Sequence, residues 1–198
     1  SSTVLDVGCG TGSITKYIRE KTKCRITGMD ISPAAIEMAI QSHAAKSGRI
    51  DFVVGDIESH TLEAKAYDSI LLIDTHYFID DFPALIPRLL SALKDNGKLA
   101  VFSDEGRGID GADDSGVQAA ETLIGQYLDH NKIPYRAINL TPQNAAHWKK
   151  KHETLIEMKE MFLQENNQFI FENRLGECED HDRSWDCRFL FIVQKIVT

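Results

Sequence analysis

Val4-Leu5-Asp6-Val7-Gly8-Cys9-Gly10-Thr11-Gly12 is the stretch whose reading decides the fold. A short apolar strand runs straight into three alternating glycines, with an acid two residues before the first. Glycine at such a turn admits positive φ and leaves no Cβ between backbone and ligand. The next residues, Ser13-Ile14-Thr15-Lys16-Tyr17-Ile18, have helical apolar spacing at Ile14, Tyr17 and Ile18. Strand, tight glycine turn and helix N-terminus form a nucleotide-binding arrangement. Asp6 alters the expected ligand, because a carboxylate suits a cation or an amino group better than a pyrophosphate.

Outward from that turn, strand and helix signals alternate. Cys24 to Met29 reads as a second strand ending at Asp30. Ser32-Pro33 starts a helix, with Ser as N-cap and Pro at the first helical position. Ile36, Ala39, Ile40 and His43 continue its face, and Gly48 stops it. Ile50 to Val54 is a third strand, followed by Gly55-Asp56, and Ser69 to Ile73 is a fourth. The fourth is nearly all apolar, as a parallel strand buried on both faces should be. Leu85, Ile86, Leu89, Leu90 and Leu93 predict the inner side of a helix over 83–93. Asn96-Gly97 then turns the chain into a fifth strand, Lys98 to Phe102. This order predicts an α/β fold, a doubly wound and mostly parallel sheet with helices on both faces. In such sheets ligands sit at the carboxyl ends of the strands, so Asp6 to Gly12, Asp30, Asp56, Asp74 and Ser103 should converge on one cleft.

Beyond the fifth strand the pattern changes. Asp104 to Ser115 is rich in Gly and Asp and reads as a loop. Val117, Ala120, Ile124 and Tyr127 mark an amphipathic helix. Thr141-Pro142 opens a longer one through about Leu163, with Trp148, Leu155, Met158 and Phe162 on one stripe. Phe169 to Leu175 and Trp185 to Val193 read as two β runs joined by a polar turn, Gly176 to Ser184, and predict a closing antiparallel hairpin.

Composition narrows the function. At 198 residues the chain is one domain with room for a sizeable core. Its formal net charge of -8 disfavours a nucleic-acid-backbone binder, which presents a basic face. No apolar run approaches the ~20 residues of a membrane helix, and no signal peptide is visible. The four cysteines, Cys9, Cys24, Cys178 and Cys187, form no CxxC pair and no metal spacing, so we expect reduced thiols, no metal and a cytoplasmic setting. A Cys178–Cys187 bridge across the hairpin carries little weight. Ser1-Ser2-Thr3 leads directly into the first strand without an initiator methionine, and we expect natural sequence to precede it.

Taken together, these residues resemble the class I S-adenosylmethionine-dependent methyltransferases, in particular their small-molecule branch. Asp6 to Gly12 resembles the family's acid-x-Gly-x-Gly-x-Gly loop, and Gly28-Met29-Asp30-Ile31-Ser32 its second motif. Val54-Gly55-Asp56-Ile57 resembles the third, Tyr67-Asp68-Ser69-Ile70 the approach to strand four, and Asn96-Gly97-Lys98-Leu99 the turn before strand five. Each is weak alone; five in order at compatible spacing are specific. The resemblance implies S-adenosyl-L-methionine as cofactor and a Rossmann-like sheet of seven strands. It implies a cofactor site of Asp6, Gly8, Cys9, Gly10, Gly12, Asp30, Ile31, Asp56, Ile57 and Asp74. Within it Asp30 takes the ribose hydroxyls, about twenty residues past the glycines. Met29 and Ile31 flank the adenosine, Asp56 accepts from the adenine amino group and the Ile57 amide donates to the ring. The blander alternatives are a turn-stabilising carboxylate for Asp6 and a helix cap or turn acid for Asp30 and Asp56. On this reading residues 1–103 are the cofactor half, 104–168 a helical insertion forming the acceptor pocket, and 169–198 the closing hairpin.

Methyl transfer from a sulfonium needs mainly positioning, and a general base only where the acceptor must lose a proton. No fixed triad is expected. His76 and Asp74, past strand four, are the candidate catalytic residues, with a surface or capping role as the alternative for His76. Tyr77, Arg107, Tyr127, His147 and Trp148 are candidates to bind a small-molecule acceptor, with Tyr135 beside them. Ile73-Asp74-Thr75-His76-Tyr77 lacks the Asn-Pro-Pro-aromatic run and the Pro-Cys pair of the base-methylating branches, which argues against a nucleic-acid acceptor. The family's helical segment ahead of the first strand has no counterpart here, so no lid residue is assigned. Two other readings stay open: a non-catalytic module that binds S-adenosylmethionine, and a nicotinamide-dependent oxidoreductase in which Gly8-x-Gly10-x-x-Ser13 imitates GxGxxG.

Overall fold

A computed structural model describes residues 2–43, 49–106, 117–183 and 186–195. The chain divides into two compact units, one of Ser1–Ser103, Gln126–Ala137 and Leu190–Thr198, the other of Asp104–Gly125 and Ile138–Phe189.

The strands are β1 (Thr3–Val7), β2 (Arg25–Asp30), β3 (Ile50–Val54), β4 (Tyr67–Ile73), β5 (Leu93–Gly106), β6 (Tyr135–Asn139) and β7 (Asp186–Gln194). The helices are α1 (Ser13–Thr22), α2 (Pro33–His43), α3 (Phe82–Ala92), α4 (Leu123–His130), α5 (Thr141–Gln164) and α6 (Gln168–Arg183). The seven strands form one sheet in the order β3-β2-β1-β4-β5-β7-β6. β1 pairs in parallel with β2 and β4, β2 with β3, and β4 with β5. The first five strands are therefore a parallel sheet that reverses direction of travel at β1, the place where such sheets bind ligands. β7 runs against β5: the Lys195 amide reaches the Gly97 carbonyl at 2.9 Å, while the Cys187 thiol lies 3.6 Å from the carbonyl of Glu105.

Register explains where the polar residues go. Val7 lies opposite Met29 and Leu72, Asp30 opposite Val54, and Ile73 opposite Phe102. Four parallel strands thus end level, and the next residue of each opens onto the same edge. Beneath that edge Leu5, Ile26, Ile70, Leu72, Leu89 and Leu99 are wholly buried, each worth roughly 1.5–3 kcal/mol in burial. α1 turns Thr15 and Ile18 inward and leaves Ile14 and Tyr17 about half exposed, at 49% and 60%. Of the expected α2 face, Ile36 and Ala39 are buried and Ile40 is exposed. Ser32 caps α2 as expected, its hydroxyl accepting the Ala35 amide at 3.2 Å.

In the second unit α5 and α6 pack together around Leu155, Phe171 and Cys178, with Trp148, Phe162 and Leu175 against them. This corrects the expected hairpin. Phe169 to Leu175 is not a strand but part of α6. Phe171, Leu175 and Cys178 recur at helical spacing and are the residues that bury or pack, whereas Phe169 and Ile170 face solvent. Trp185 lies outside the described residues; β7 itself forms as expected, but its antiparallel neighbours are β5 and β6. The four cysteines are free thiols, and Cys178 sits in the α5–α6 core. The helix expected over 117–127 is broken into a 3-10 turn, Ala119–Glu121, and α4. β5 is longer than expected, because Asn96 at φ 64° and Gly97 turn within it, and β4 shifts register between Tyr67 and Ser69 to match. Gly48 and Arg107 to Ser115 lie outside the described residues.

Candidate functional site

The glycine turn after β1 is pinned from below. The amides of Gly8 and Cys9 both donate to the Met29 carbonyl, at 2.7 and 3.0 Å. The Gly10 amide donates to Oδ2 of Asp30 at 2.8 Å. Gly8, Gly10 and Gly12 all have positive φ, at 72°, 53° and 79°. Two of these glycines answer different needs. A Cβ on Gly8 would lie 2.3 Å from Oγ1 of Thr75, so Gly8 lets two loops touch; a Cβ on Gly10 would meet nothing within 4 Å, so Gly10 borders open space.

The four carboxylates Asp6, Asp30, Asp56 and Asp74 are held in different ways. Asp6 is buried and accepts the Thr15 hydroxyl at 2.5 Å. Burial pushes its pKa up to about 6, against the lowering effect of that hydrogen bond and with help from the Asp30 charge. Asp6 therefore braces the turn against α1. The Cys9 thiol is pushed up to about 12, chiefly by burial and then by the charges of Asp6 and Asp30, so it stays protonated at neutral pH. Asp30 is held by two amides, Gly10 on Oδ2 and Ser32 on Oδ1, the latter at 2.9 Å. Asp56 forms its own turn, Oδ1 accepting the Glu58 amide at 2.9 Å and Oδ2 the Ser59 hydroxyl at 3.1 Å. Asp74 directly follows β4 with φ at 52°, a left-handed backbone that is uncommon outside glycine and is found at functional sites.

The carboxyl ends of β1 to β4 enclose a cleft of about 480 Å³. Its walls are Val7, Gly8, Met29, Asp30, Ile31, Gly55, Asp56, Ile57, Glu58, Asp74, Thr75, Phe78, Ile79 and Asp80. Of the expected cofactor residues, Gly8, Asp30, Ile31, Asp56, Ile57 and Asp74 are brought together there, while Asp6, Cys9, Gly10 and Gly12 belong to the adjoining turn. Ile31 and Phe78 are apolar yet 70% and 79% exposed. Sequence reasoning missed Glu58, Thr75, Ile79 and Asp80. The one signal for this side was Asp81-Phe82-Pro83, a helix start in which the Asp81 carboxylate accepts the Ala84 amide at 3.0 Å.

The remaining candidates are dispersed. His76 opens a 3-10 turn, His76–Phe78, and its Nε2 lies 3.2 Å from Oγ of Ser103. Burial lowers its pKa below the usual 6.5, opposed by the Asp74 charge. Its ring packs edge-on against Tyr77 at 4.8 Å and near Phe82 at 5.5 Å, outside the cleft walls. Tyr77 is half exposed. The Tyr127 hydroxyl donates to the Pro83 carbonyl at 2.8 Å, and that of Tyr135 to Asp129 at 3.3 Å. Trp148 packs in the α5–α6 core beneath Lys151, whose Nζ is 4.0 Å from its ring centre. His147 is exposed beside it. Arg107 lies outside the described residues.

Residues 4–97 match a family described as a methyltransferase domain. Malonyl-[acyl-carrier protein] O-methyltransferase of Acetivibrio thermocellus is 36% identical over 98 residues, 49% of this chain and 34% of that protein. Phosphoethanolamine N-methyltransferase 1 of Arabidopsis thaliana is 34% identical over 98 residues, 50% of this chain and 20% of that protein. The matched segment thus spans about a third or less of these relatives. A solved structure of Haemonchus contortus phosphoethanolamine N-methyltransferase 2, with phosphomonomethylethanolamine and S-adenosylhomocysteine, superposes with a TM-score of 0.85 at 20% identity. That superposition covers 100% of this chain and 49% of the other, and is a likeness of fold. Motif order, sheet topology and the family match agree: residues 4–97, just under half of the chain, match a methyltransferase domain, and the fold is that of the Rossmann-like methyltransferases.

Proposed function

We propose that this chain transfers a methyl group from S-adenosylmethionine to a small-molecule acceptor, with the cofactor in the strand-end cleft. The observation that carries the reading is the alignment of Gly8, Asp30, Asp56 and Asp74 just past or at the ends of parallel strands, all lining one cleft. The residues fit the cofactor. The cleft is of ligand size. Asp30 is fixed by two amides where a ribose diol would meet it. Asp56 and the Ile57 amide offer an acceptor and a donor for adenine, and the exposed Ile31 and Phe78 offer apolar cover for its ring. Gly8 and Gly10 expose backbone to the methionine end, with open space over Gly10.

When bound, S-adenosylmethionine supplies a sulfonium-activated methyl for in-line displacement. The chain's own work is then orientation and exclusion of water. Where the acceptor must lose a proton, we assign the task to Asp74 and His76. The lowered pKa of His76 keeps its imidazole neutral at pH 7 and able to accept. The relatives are named for malonyl-acyl-carrier protein and phosphoethanolamine. The family match ends at Gly97, so the likeness bears on the cofactor half, and the choice of acceptor falls to residues beyond Gly97.

Calorimetric titration with S-adenosylhomocysteine tests the reading, with Asp30→Ala and NADH as controls. We expect micromolar binding that the variant weakens at least about tenfold. Binding of NADH in its place would favour an oxidoreductase. Cofactor binding without turnover of any acceptor would favour a binding module.

A further inference from the structure

The turn that carries Asp56 and Ile57 is gripped at two points by α3. From within α3, the Arg88 guanidinium donates Nη1 to the Glu58 carbonyl at 2.5 Å and Nη2 to the His60 carbonyl at 2.7 Å. From just ahead of α3, the amides of Asp80 and Asp81 donate to the two carboxylate oxygens of Glu58, at 3.1 and 3.0 Å. The turn is wound tightly on Asp56, whose carbonyl accepts the His60 amide at 2.8 Å while its carboxylate holds Glu58 and Ser59. Asp56, Ile57 and Glu58 form one part of the cleft wall and Ile79 and Asp80 another. A guanidinium presents donors in a rigid fork, and its bonds to carbonyls are charge-assisted.

We propose that Arg88 is the positioning residue for the adenine end of the cleft. Its fork locks the Asp56–His60 turn so that the Asp56 carboxylate and Ile57 amide match the edge of adenine rather than of another purine. The inference rests on the cofactor reading above. Arg88 is not among the residues that line the cleft, and it acts through the two carbonyls it holds.

The test compares S-adenosylhomocysteine with S-inosylhomocysteine, which differs only at the purine edge, on wild type, Arg88→Ala, Arg88→Lys and Asp30→Ala. Arg88→Ala should weaken S-adenosylhomocysteine roughly tenfold and erase most of its preference over the inosine analogue. Arg88→Lys should fall between, because one ammonium cannot reproduce the fork. Asp30→Ala should weaken both ligands alike and keep the preference, so the ratio separates positioning from general damage. A wild-type preference retained in Arg88→Ala overturns the proposal. Wild type that binds neither ligand overturns the cofactor reading and the adenine role with it. Hydrogen exchange judges the clamp without any ligand. Faster exchange at the amides of Glu58, His60, Asp80 and Asp81 in Arg88→Lys, with the sheet unchanged, is expected. Unchanged protection there overturns the clamp.

Discussion

The hydroxyl of Tyr127 donates to the carbonyl of Pro83 at 2.8 Å. That carbonyl would ordinarily accept the amide four residues on, but the residue there is Pro87, inside α3, which has no amide proton to give. A tyrosine from α4 thus completes a hydrogen bond that α3 cannot make for itself. The finding places Tyr127 in the scaffold, where the sequence reading had it beside an acceptor.

Tyr127→Phe should therefore destabilise the protein by about 1 kcal/mol and leave cofactor affinity unchanged. Pro87→Ala restores an amide to the helix and should make the loss at Tyr127 smaller. Urea unfolding of the two single variants and the double variant gives the coupling. Additivity would show that the two residues do not share this carbonyl.

Asp6 should make acid conditions favourable to the fold. Its pKa is about 6 in the folded chain against an ordinary 3.8, so between these values the folded state holds the extra proton. This contribution is present below about pH 4 and lost as pH rises through about 6, a swing of roughly 2–3 kcal/mol. Asp6→Asn keeps an acceptor for the Thr15 hydroxyl but removes the titration. The stability difference between wild type and variant should move by that amount between pH 4 and 7, in favour of the variant as pH rises. A difference that does not change with pH would contradict the assignment.

His76 works in the other direction. Its proton affinity is lowered in the folded chain, mainly by burial. Its contribution is present above the usual 6.5 and is lost as pH falls below it and through the lower folded value. Its imidazole resonances should titrate below 6.5, and His76→Gln should remove this acid-side loss. A titration at or above 6.5 would refute the burial argument.

Gly8 and Gly10 should respond differently to alanine. At Gly8 a methyl adds a clash with Thr75 to an unfavourable φ, and Gly8→Ala should cost several kcal/mol or prevent folding. At Gly10 only the conformational cost remains, about 1–2 kcal/mol. Gly10→Ala should fold yet lose affinity for S-adenosylhomocysteine, because its methyl occupies the open space. Thermal melts and calorimetry on the two variants read these effects separately.

The sequence by itself determined β1 to β5, the helices between them and the motif order. Parallel strands buried on both faces are continuous apolar runs, and their ends are punctuated by Gly, Asp, Ser-Pro and Asn-Gly, whose backbone preferences are local. It also marked Gly8, Asp30, Asp56 and Asp74, since each ends such a run or lies one or two residues past its end. Tertiary structure alone decided the rest. Tyr135–Asn139 is a short, half-buried strand that only pairing reveals. Phe169 to Leu175 is apolar enough for either element, and it is helix because Phe171, Leu175 and Cys178 find Leu155 and Trp148 across α5. Arg88, Glu58 and Tyr127 have no local signature, because their bonds join residues far apart in sequence. The strand ends were legible because they depend on neighbours in the chain; the clamp and the braces were not, because they depend on neighbours in space.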